Sequence, residues 1–342
     1  MSSDTPTDPD SQAQALVASY TRAGYVRIAP AVLQPAEPFL DLSGEDIRRR
    51  MFLTTDPDGR ELCLRPDLTI PVSRDYLASP QAGKPAGFCY LGAVFRHRHG
   101  AASEFLQAGI ESFGRADKAA ADAEMLALGL EATTQYDIGA PEIRIGDVGL
   151  FAAFVAALDL APVWKRRLIK DFNRKSSLKH DLEQMTLAPV NGSKEYQGVL
   201  AALAGSDPKA AHHLVTDLLS IAGIATVGGR SVAEIADRFL EQSTLKAGAL
   251  PRDALIIIKR FLAISGDPRD AIAQLRALAS DAKLDIAAAI DALESRVGFM
   301  AARGIDTAMT RFSTSFGRGL DYYTGFEFEL HAKGNGIEPL VA

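Results

Sequence analysis

The sequence of 342 residues has only two cysteines, Cys63 and Cys89, and a single tryptophan. Two thiols are too few for the disulfide framework of a small secreted domain, and their spacing does not fit a zinc site. No apolar run approaches the ~18 residues that a membrane span requires, and no signal peptide is visible. We therefore expect a cytoplasmic protein that has no membrane partner and binds no metal ion.

An excess of positive charge is also lacking, since the net charge is −6 and the pI is near 5.6. This balance argues against a broad electrostatic surface for nucleic acid. One local stretch is basic and contains Lys165, Arg166, Arg167, Lys170, Arg174, Lys175 and Lys179. Such a stretch could contact tRNA, but it more often forms a solvated helix face or contacts a protein partner. We expect no nucleic-acid partner.

The chain is longer than a typical single domain, and its composition changes along its length. Residues 1–12 are polar, acidic and proline-containing, which predicts a disordered tail. Strand-like runs occur in 13–160 and return in 305–342, whereas Ala, Leu and Ile recur at helical spacing in 161–304. The pattern predicts an α+β fold, with an antiparallel sheet flanked by helices and interrupted in sequence by a mostly helical insertion.

Two pairs of strand-like runs are predicted in the first half of the chain. The turn sequence Asp56-Pro57-Asp58-Gly59 predicts a hairpin between Met51–Thr55 and Glu61–Arg65. A second pair of strand-like runs, Phe88–Arg96 and Glu104–Phe113, flanks a polar loop.

Proline and capping residues place further elements. Three prolines in residues 29–40 predict an extended segment. Asp117 is the predicted N-cap of a long helix, and Asp267-Pro268 predicts the start of another. Ser231-Val232-Ala233-Glu234 has the form of a capping box.

The segment Gly317-Arg318-Gly319-Leu320-Asp321-Tyr322-Tyr323 is the most distinctive one in the chain. Glycines on both sides of Arg318 would let a ligand approach closely, and a guanidinium can bind a carboxylate through two hydrogen bonds. Tyr322 and Tyr323 can stack on a ring or satisfy a polar group. The segment is equally typical of a glycine-rich turn entering a strand, and both interpretations remain open.

The two faces of the predicted strand 104–113 differ in character. One face is core-like and carries Leu106, Ala108, Ile110 and Ser112. The other face carries Phe105, Gln107, Gly109, Glu111 and Phe113. A glycine within a strand often marks a close approach to the backbone, so we interpret this second face as ligand-facing. The alternative is a polar outer face with a solvated amide and carboxylate.

A third candidate wall is the segment Leu64–Pro71, in which Asp67 and Thr69 would point the same way if it were extended. The alternative is that both residues cap a following helix. Together the candidates suit a free amino acid. Arg318 would bind its carboxylate, and Asp67 or Glu111 would neutralise its ammonium group.

Four segments, Leu64–Thr69, Phe95-Arg96, Phe105–Gly114 and Arg318–Tyr323, resemble the histidyl-tRNA synthetase form of the class II aminoacyl-tRNA synthetase core. Their order and spacing are similar across the chain except its insertion and tail, so the resemblance implies a class II synthetase-like fold. It also implies a histidine-binding set of Asp67, Thr69, Arg96, Gln107, Glu111, Arg318, Tyr322 and Tyr323. Arg96 matches the position that faces the activated carboxylate or phosphate. Asp67 stands where the synthetases usually have glutamate.

The chain departs from the synthetases where they bind ATP. Adenylate formation needs cations around the phosphates, yet the loop Arg96–Ser103 is short and has Ala101-Ala102-Ser103 where further arginines are expected. The 342 residues also contain neither the Gly-Gly-Arg-Tyr segment nor the later arginine-bearing motif of the synthetases, and we expect no anticodon-binding domain.

These departures resemble the regulatory subunits of ATP phosphoribosyltransferase, synthetase-like proteins without aminoacylation activity. The resemblance implies a short-form catalytic subunit as partner, a dimer of this chain within a hetero-octamer, L-histidine as effector, and neither catalytic residues nor a cofactor. A truncated or divergent histidyl-tRNA synthetase and a histidine- or tRNA-binding module are the alternatives. His97 and His99 lack a nearby third ligand, so we expect no metal site there.

Overall fold

The computed structural model describes residues 9–42, 45–136, 138–172, 250–317, 323–334 and 339–341. The chain forms two compact units, one of residues 1–153 and 262–342 and the other of residues 154–261. Most of the predicted tail and the predicted capping box at Ser231–Glu234 lie outside the described residues. Among the described helices, none is long and apolar enough to cross a membrane.

We number the described elements in chain order. The first unit begins with α1 (Pro9–Arg22), β1 (Val26–Arg27), β2 (Leu33–Pro35), α2 (Glu37–Leu42), α3 (Glu45–Arg48), β3 (Phe52–Thr55), β4 (Glu61–Leu64), α4 (Thr69–Ala78), β5 (Ala86–Phe95), β6 (Glu104–Phe113), α5 (Lys118–Gln135) and β7 (Glu142–Asp147). Next come α6 (Val148–Ala157), α7 (Pro162–Phe172) and α8 (Arg252–Leu262). The chain continues with β8 (Ser265–Gly266), α9 (Pro268–Ala282), α10 (Ala287–Ala302), a short 3-10 turn (Thr307–Met309), β9 (Thr310–Ser313) and β10 (Phe326–His331).

The predicted hairpin and the second predicted pair of strands are confirmed. β3 and β4 pair antiparallel, and in their turn Asp56 Oδ1 accepts hydrogen bonds from the amides of Asp58 and Arg60 at 2.9 and 2.8 Å. β5 and β6 pair antiparallel over ten residues, with Tyr90 opposite Gly109. The longer hairpin carries most of the candidate site.

The described strands form three sheets, with the orders β2-β4-β3, β1-β5-β6 and β10-β7-β9-β8. In the third sheet β7, which precedes the helical stretch, pairs with β9 and β10, which follow it. This pairing confirms the predicted α+β arrangement, in which a sheet is interrupted in sequence. Two pairings, β1–β5 and β7–β9, are parallel, so the sheets are mixed rather than wholly antiparallel.

The prediction of an extended segment over residues 29–40 is wrong at its end, because α2 begins at Glu37. Pro38 lies in the first turn of that helix. An amide hydrogen has no partner within the helix at that position, so proline is tolerated there.

The predicted helix starts at residues 117 and 267 are confirmed, but only one has the expected cap. Asp267 Oδ1 accepts a hydrogen bond from the amide of Arg269 at 2.8 Å, with Pro268 in the first turn of α9. Asp117 makes no such bond to α5, because its carboxylate pairs with Arg115 at 2.6 Å.

The β5–β6 hairpin has apolar clusters on both of its faces. On one side Ala108 and Ile110 join the cluster of Leu16, Val17, Tyr20, Tyr25, Cys89, Leu128 and Ala132. On the other side Phe105 and Phe113 join the cluster of Leu68, Val72, Tyr90 and Val94. Hence the face that we interpreted as ligand-facing is also part of the core at both of its ends.

Both cysteines are fully buried and lie in different clusters. Cys63 belongs to the cluster of Ala36, Phe39, Met51 and Ile70. Cys89 belongs to the cluster that contains Leu16 and Leu128. Burial raises the pKa of the Cys63 thiol to about 11 and also raises that of Cys89.

A buried ion cluster joins α10 to α5 and β7. Arg296 Nε lies 2.6 Å from Asp122 Oδ2, and Arg296 Nη1 lies 2.9 Å from Asp147 Oδ2. The side chains of Arg296 and Asp147 are only 12% and 5% exposed. Asp147 Oδ1 also accepts a hydrogen bond from the amide of Leu150 at 3.1 Å, which caps the first turn of α6.

Residues 262–304 were predicted to belong to the helical insertion, yet they lie in the first compact unit. There α10 lies along α5, and α9 contacts β8 and β9. A helix that covers a sheet has the same apolar spacing as a helix of a separate domain, so the pattern does not distinguish them. The predicted domain boundaries themselves remain a prediction, because 173–249 lie outside the described residues.

Candidate functional site

Five of the eight predicted site residues surround the junction between β4 and α4 and the β5–β6 hairpin. They are Asp67, Thr69, Arg96, Gln107 and Glu111. Asp67 Oδ1 accepts a hydrogen bond from the amide of Ile70 at 3.1 Å, in the first turn of α4. Asp67 thus bonds to the first turn of α4, as the capping interpretation expects, whereas Thr69 is the first residue of the helix and Leu68 is its N-cap. The site is built around the start of this helix.

The carboxyl group of Glu111 is the centre of the polar cluster. The hydroxyl of Tyr90 donates a hydrogen bond to Glu111 Oε1 at 3.1 Å, and the hydroxyl of Thr69 also hydrogen-bonds to this group. Burial raises the pKa of Glu111 from 4.5 to about 7, and the nearby Asp67 adds to the rise, whereas both hydrogen bonds oppose it.

Asp67 is near enough for its charge to raise the pKa of Glu111, and we call these two residues the carboxyl pair. Burial raises the pKa of Asp67 too, while its hydrogen bonds with the amides of Ile70 and Thr69 and the charge of Arg96 oppose the rise. Two carboxyl groups that share one partly buried space favour either a retained proton or a bound cation. The arrangement can therefore accept an ammonium group or a protonated ring nitrogen.

Arg96 and Gln107 are held by the backbone around the same junction. Arg96 Nε donates to the carbonyl of Pro66 at 2.6 Å, and its guanidinium lies 5.3 Å from the ring centroid of Phe105. Gln107 Oε1 accepts a hydrogen bond from the amide of Leu68 at 3.0 Å. These contacts fix the position of one cation and one carboxamide beside the carboxyl pair.

Of the other three predicted residues, the structure describes only Tyr323. Tyr323 lines a cavity of about 600 Å³, together with Ser112, Arg115, Lys118, Asp147, Arg296 and Phe326. None of the five clustered residues lines that cavity. Arg318 and Tyr322 lie outside the described residues, so a single pocket for all eight remains a prediction.

Gly109 does mark a close approach to the backbone, but the approaching group is the Tyr90 side chain and not the predicted ligand. A Cβ atom at Gly109 would stand 2.5 Å from Cζ of Tyr90. The space above this glycine is therefore occupied by the Tyr90 ring and not by a ligand. Sequence reasoning missed Tyr90 because a tyrosine in an apolar strand reads as core, and only the register places it opposite Gly109.

A second missed residue is Arg65, which is 6% exposed. Its Nε donates to the carbonyl of Ala93 at 2.8 Å, and Nη1 donates to the carbonyl of Pro30. A Cβ atom at Gly92 would stand 2.6 Å from Arg65 Nη2. Arg65 thus links the β4–α4 junction to β5 through hydrogen bonds, and the absence of a side chain at Gly92 leaves space for its guanidinium.

No three histidine, cysteine, aspartate or glutamate side chains group as metal ligands in the part of the chain that the structure describes. The ring of His97 instead contacts that of Phe52, with 3.8 Å between centroids.

Replacing Glu111 with glutamine is expected to change how stability depends on pH. The raised pKa means that the folded state keeps a proton that the unfolded state releases, so stability falls as pH rises from about 4.5 to about 7. The glutamine variant removes this contribution. In urea unfolding, the free energy of unfolding of Glu111→Gln minus that of the parent protein should therefore increase with pH across that interval. A constant difference between the two proteins would contradict the burial of this carboxyl group.

Comparison with known proteins agrees with this architecture. The family model for histidyl-tRNA synthetase matches residues 10–230. ATP phosphoribosyltransferase regulatory subunits from Brucella canis, Brucella suis and Brucella melitensis are each 40% identical to this chain over 317 residues. The matches cover 91% of this chain and 82% of each relative.

Solved structures show the same fold at lower identity. An ATP phosphoribosyltransferase regulatory subunit/histidyl-tRNA synthetase from Bacillus halodurans superposes with a TM-score of 0.61 at 20% identity, covering 98% of this chain and 72% of the other. Histidyl-tRNA synthetase from Nostoc gives a TM-score of 0.57 at 17% identity, covering 98% and 66%.

The fold is thus that of the class II synthetases, while the curated relatives are regulatory subunits of a transferase. The chain belongs to the ATP phosphoribosyltransferase regulatory subunits, a family of non-catalytic proteins related to histidyl-tRNA synthetase.

Proposed function

We propose that this chain activates a short-form ATP phosphoribosyltransferase catalytic subunit, in the first step of histidine biosynthesis, and conveys feedback by L-histidine to it. The 40% identity with ATP phosphoribosyltransferase regulatory subunits over 91% of the chain carries the proposal. The buried carboxyl groups of Asp67 and Glu111 suit the cationic groups of an amino acid such as histidine, and the loop Arg96–Ser103 has few of the cations that adenylate formation requires.

In this proposal the ammonium group or the protonated imidazole of histidine is bound by the carboxyl pair. Gln107 and Thr69 provide polar contacts, and Arg96 and Arg318 attract the ligand carboxylate. Binding then alters activity because histidine favours one conformation of the complex over another. The reaction itself takes place in the catalytic subunit.

We further propose that the chain acts in the cytoplasm, as a dimer within a hetero-octamer that includes the catalytic subunit. Arginine is common at protein interfaces, and the basic surface of α7 around Lys165 and Arg166 is better suited to a protein partner than to tRNA. Neither a nucleic acid nor a membrane takes part in this function.

Reconstitution tests the proposal directly. The full chain and a separately purified short-form catalytic subunit are mixed, and phosphoribosyl transfer to ATP is measured with and without histidine. We expect little activity from either protein alone, much higher activity on mixing, and inhibition of the mixture by histidine.

Two results would contradict the proposal. A catalytic subunit that is equally active without this chain would exclude the activating role. Histidine-dependent ATP–pyrophosphate exchange by this chain alone would instead identify an active synthetase, and a tight, salt-sensitive complex with tRNA would indicate a nucleic-acid-binding module.

A further inference from the structure

Tyr90 occupies an unusual position for a tyrosine in the core. It is 4% exposed, and its ring lies over Gly109 of the opposite strand. Any residue other than glycine at position 109 would place its Cβ atom against the Tyr90 ring. The hydroxyl reaches Glu111, two residues farther along β6 on the same face, at 3.1 Å. Strand register and a glycine thus combine to direct one phenol hydroxyl at one carboxyl group.

The phenol of Tyr90 stays protonated, and so it remains a hydrogen-bond donor. Burial raises its pKa well above the usual range, and the charge of Glu111 adds to this effect. A protonated phenol beside a carboxyl group favours the ionised carboxylate, since the hydrogen bond is stronger to the charged form.

The groups that face Glu111 come from three elements. Tyr90 belongs to β5, Thr69 is the first residue of α4, and Asp67 lies in the turn before that helix, with Arg96 beyond it. Tyr90 donates to Glu111, Thr69 hydrogen-bonds with both Glu111 and Tyr90, and Asp67 is a second acid. A carboxylate has about four acceptor positions, so two protein donors leave capacity for a donor on a ligand.

We infer that Tyr90 is a positioning residue: its hydroxyl orients Glu111 so that the site selects a ligand with a protonated ring nitrogen. The inference rests on the proposed histidine site and adds the rule by which that site distinguishes its ligand. Below about pH 7, where Glu111 holds a proton, binding of such a ligand releases that proton to the buffer, and the ligand N–H then donates a hydrogen bond to the carboxylate.

Calorimetric titration with L-histidine tests this inference, with Tyr90→Phe as the variant. The substitution keeps the ring above Gly109 and removes only the hydroxyl. We expect affinity to fall about tenfold or more, because a hydrogen bond to a charged group is lost. Proton release on histidine binding should also persist to a higher pH in Tyr90→Phe than in the parent protein, because the hydrogen bond that lowers the pKa of Glu111 is gone.

Tyr76→Phe is a matched control. Tyr76 is similarly buried, at 6% exposure. Its hydroxyl donates to the carbonyl of Lys84 at 3.0 Å, and its ring stacks on Phe113. This substitution should lower stability without moving the pH profile of histidine binding. If Tyr90→Phe binds with the parent affinity and pH profile, or if Tyr76→Phe shifts that profile as much, the inference is wrong.

A second measurement keeps the inference separate from the proposed function. Infrared difference spectra, with Glu111→Gln as reference, follow ionisation of the Glu111 carboxyl group without any ligand. The midpoint should be higher in Tyr90→Phe than in the parent protein, and an unchanged midpoint would refute the role of Tyr90. Absence of histidine binding by a folded parent protein would overturn the proposed site and the ligand rule, while the infrared result would still decide how Tyr90 acts on Glu111.

Discussion

Replacing Arg296 with alanine is expected to lower the free energy of unfolding by about 3–5 kcal/mol. The change would leave Asp147 almost fully buried without the guanidinium that neutralises it at 2.9 Å. The hydrogen bond from the amide of Leu150 remains, but an uncharged amide does not neutralise the carboxylate of Asp147. Urea unfolding followed by circular dichroism would measure the loss.

Arg303→Ala is the matched control for this experiment. Arg303 pairs with Glu124 at 3.0 Å, but its side chain is 40% exposed, so its removal should cost only up to about 1 kcal/mol. Adding Asp147→Asn to Arg296→Ala should recover part of the loss, because asparagine removes the buried charge and still caps a helix. Equal losses for the two arginines would show that burial does not govern this ion cluster.

Replacing Arg318 with alanine is expected to weaken histidine binding by about 2–5 kcal/mol, if the guanidinium binds the ligand carboxylate in a desolvated site. Arg318 lies outside the described residues, so this expectation rests on its place between two glycines and on the family resemblance. Calorimetric titration with histidine gives the change in affinity directly, and each tenfold loss corresponds to about 1.4 kcal/mol.

Lys165→Ala serves as the control for Arg318→Ala. Lys165 lies on α7, and its Nζ donates to the carbonyl of Ala156 at 2.7 Å. Its removal should leave histidine affinity unchanged. A large loss in the Lys165 variant, or none in the Arg318 variant, would mean that the histidine pocket lies elsewhere.

The elements that sequence predicted correctly are those determined by nearby residues. The turn at Asp56–Gly59 fixes its own hairpin through hydrogen bonds within five residues, and Asp267-Pro268 starts α9 in the same local way. The parallel pairing of β7 with β9 joins residues such as Ile145 and Phe312 that are far apart in sequence. No local pattern encodes such a pairing, which is why the mixed sheets were not predicted.

Residues with two chemical options were the hardest to assign. Asp117 could cap α5 or pair with Arg115. In the structure its carboxylate forms the ion pair with Arg115, two residues away. For the site, Asp67 and Glu111 were predicted from residue type and parity. Tyr90, which donates to Glu111, was not, because its role depends on a cross-strand neighbour that only the register identifies.

Burial of the two thiols has a practical consequence for labelling. The reactive form of cysteine is the thiolate, and both natural side chains are inaccessible and hold their protons tightly. A maleimide dye added to the native protein would therefore find almost nothing to modify. One cysteine introduced on the surface, for example at the exposed Leu77, would then carry a fluorophore at a single known position without removal of Cys63 or Cys89.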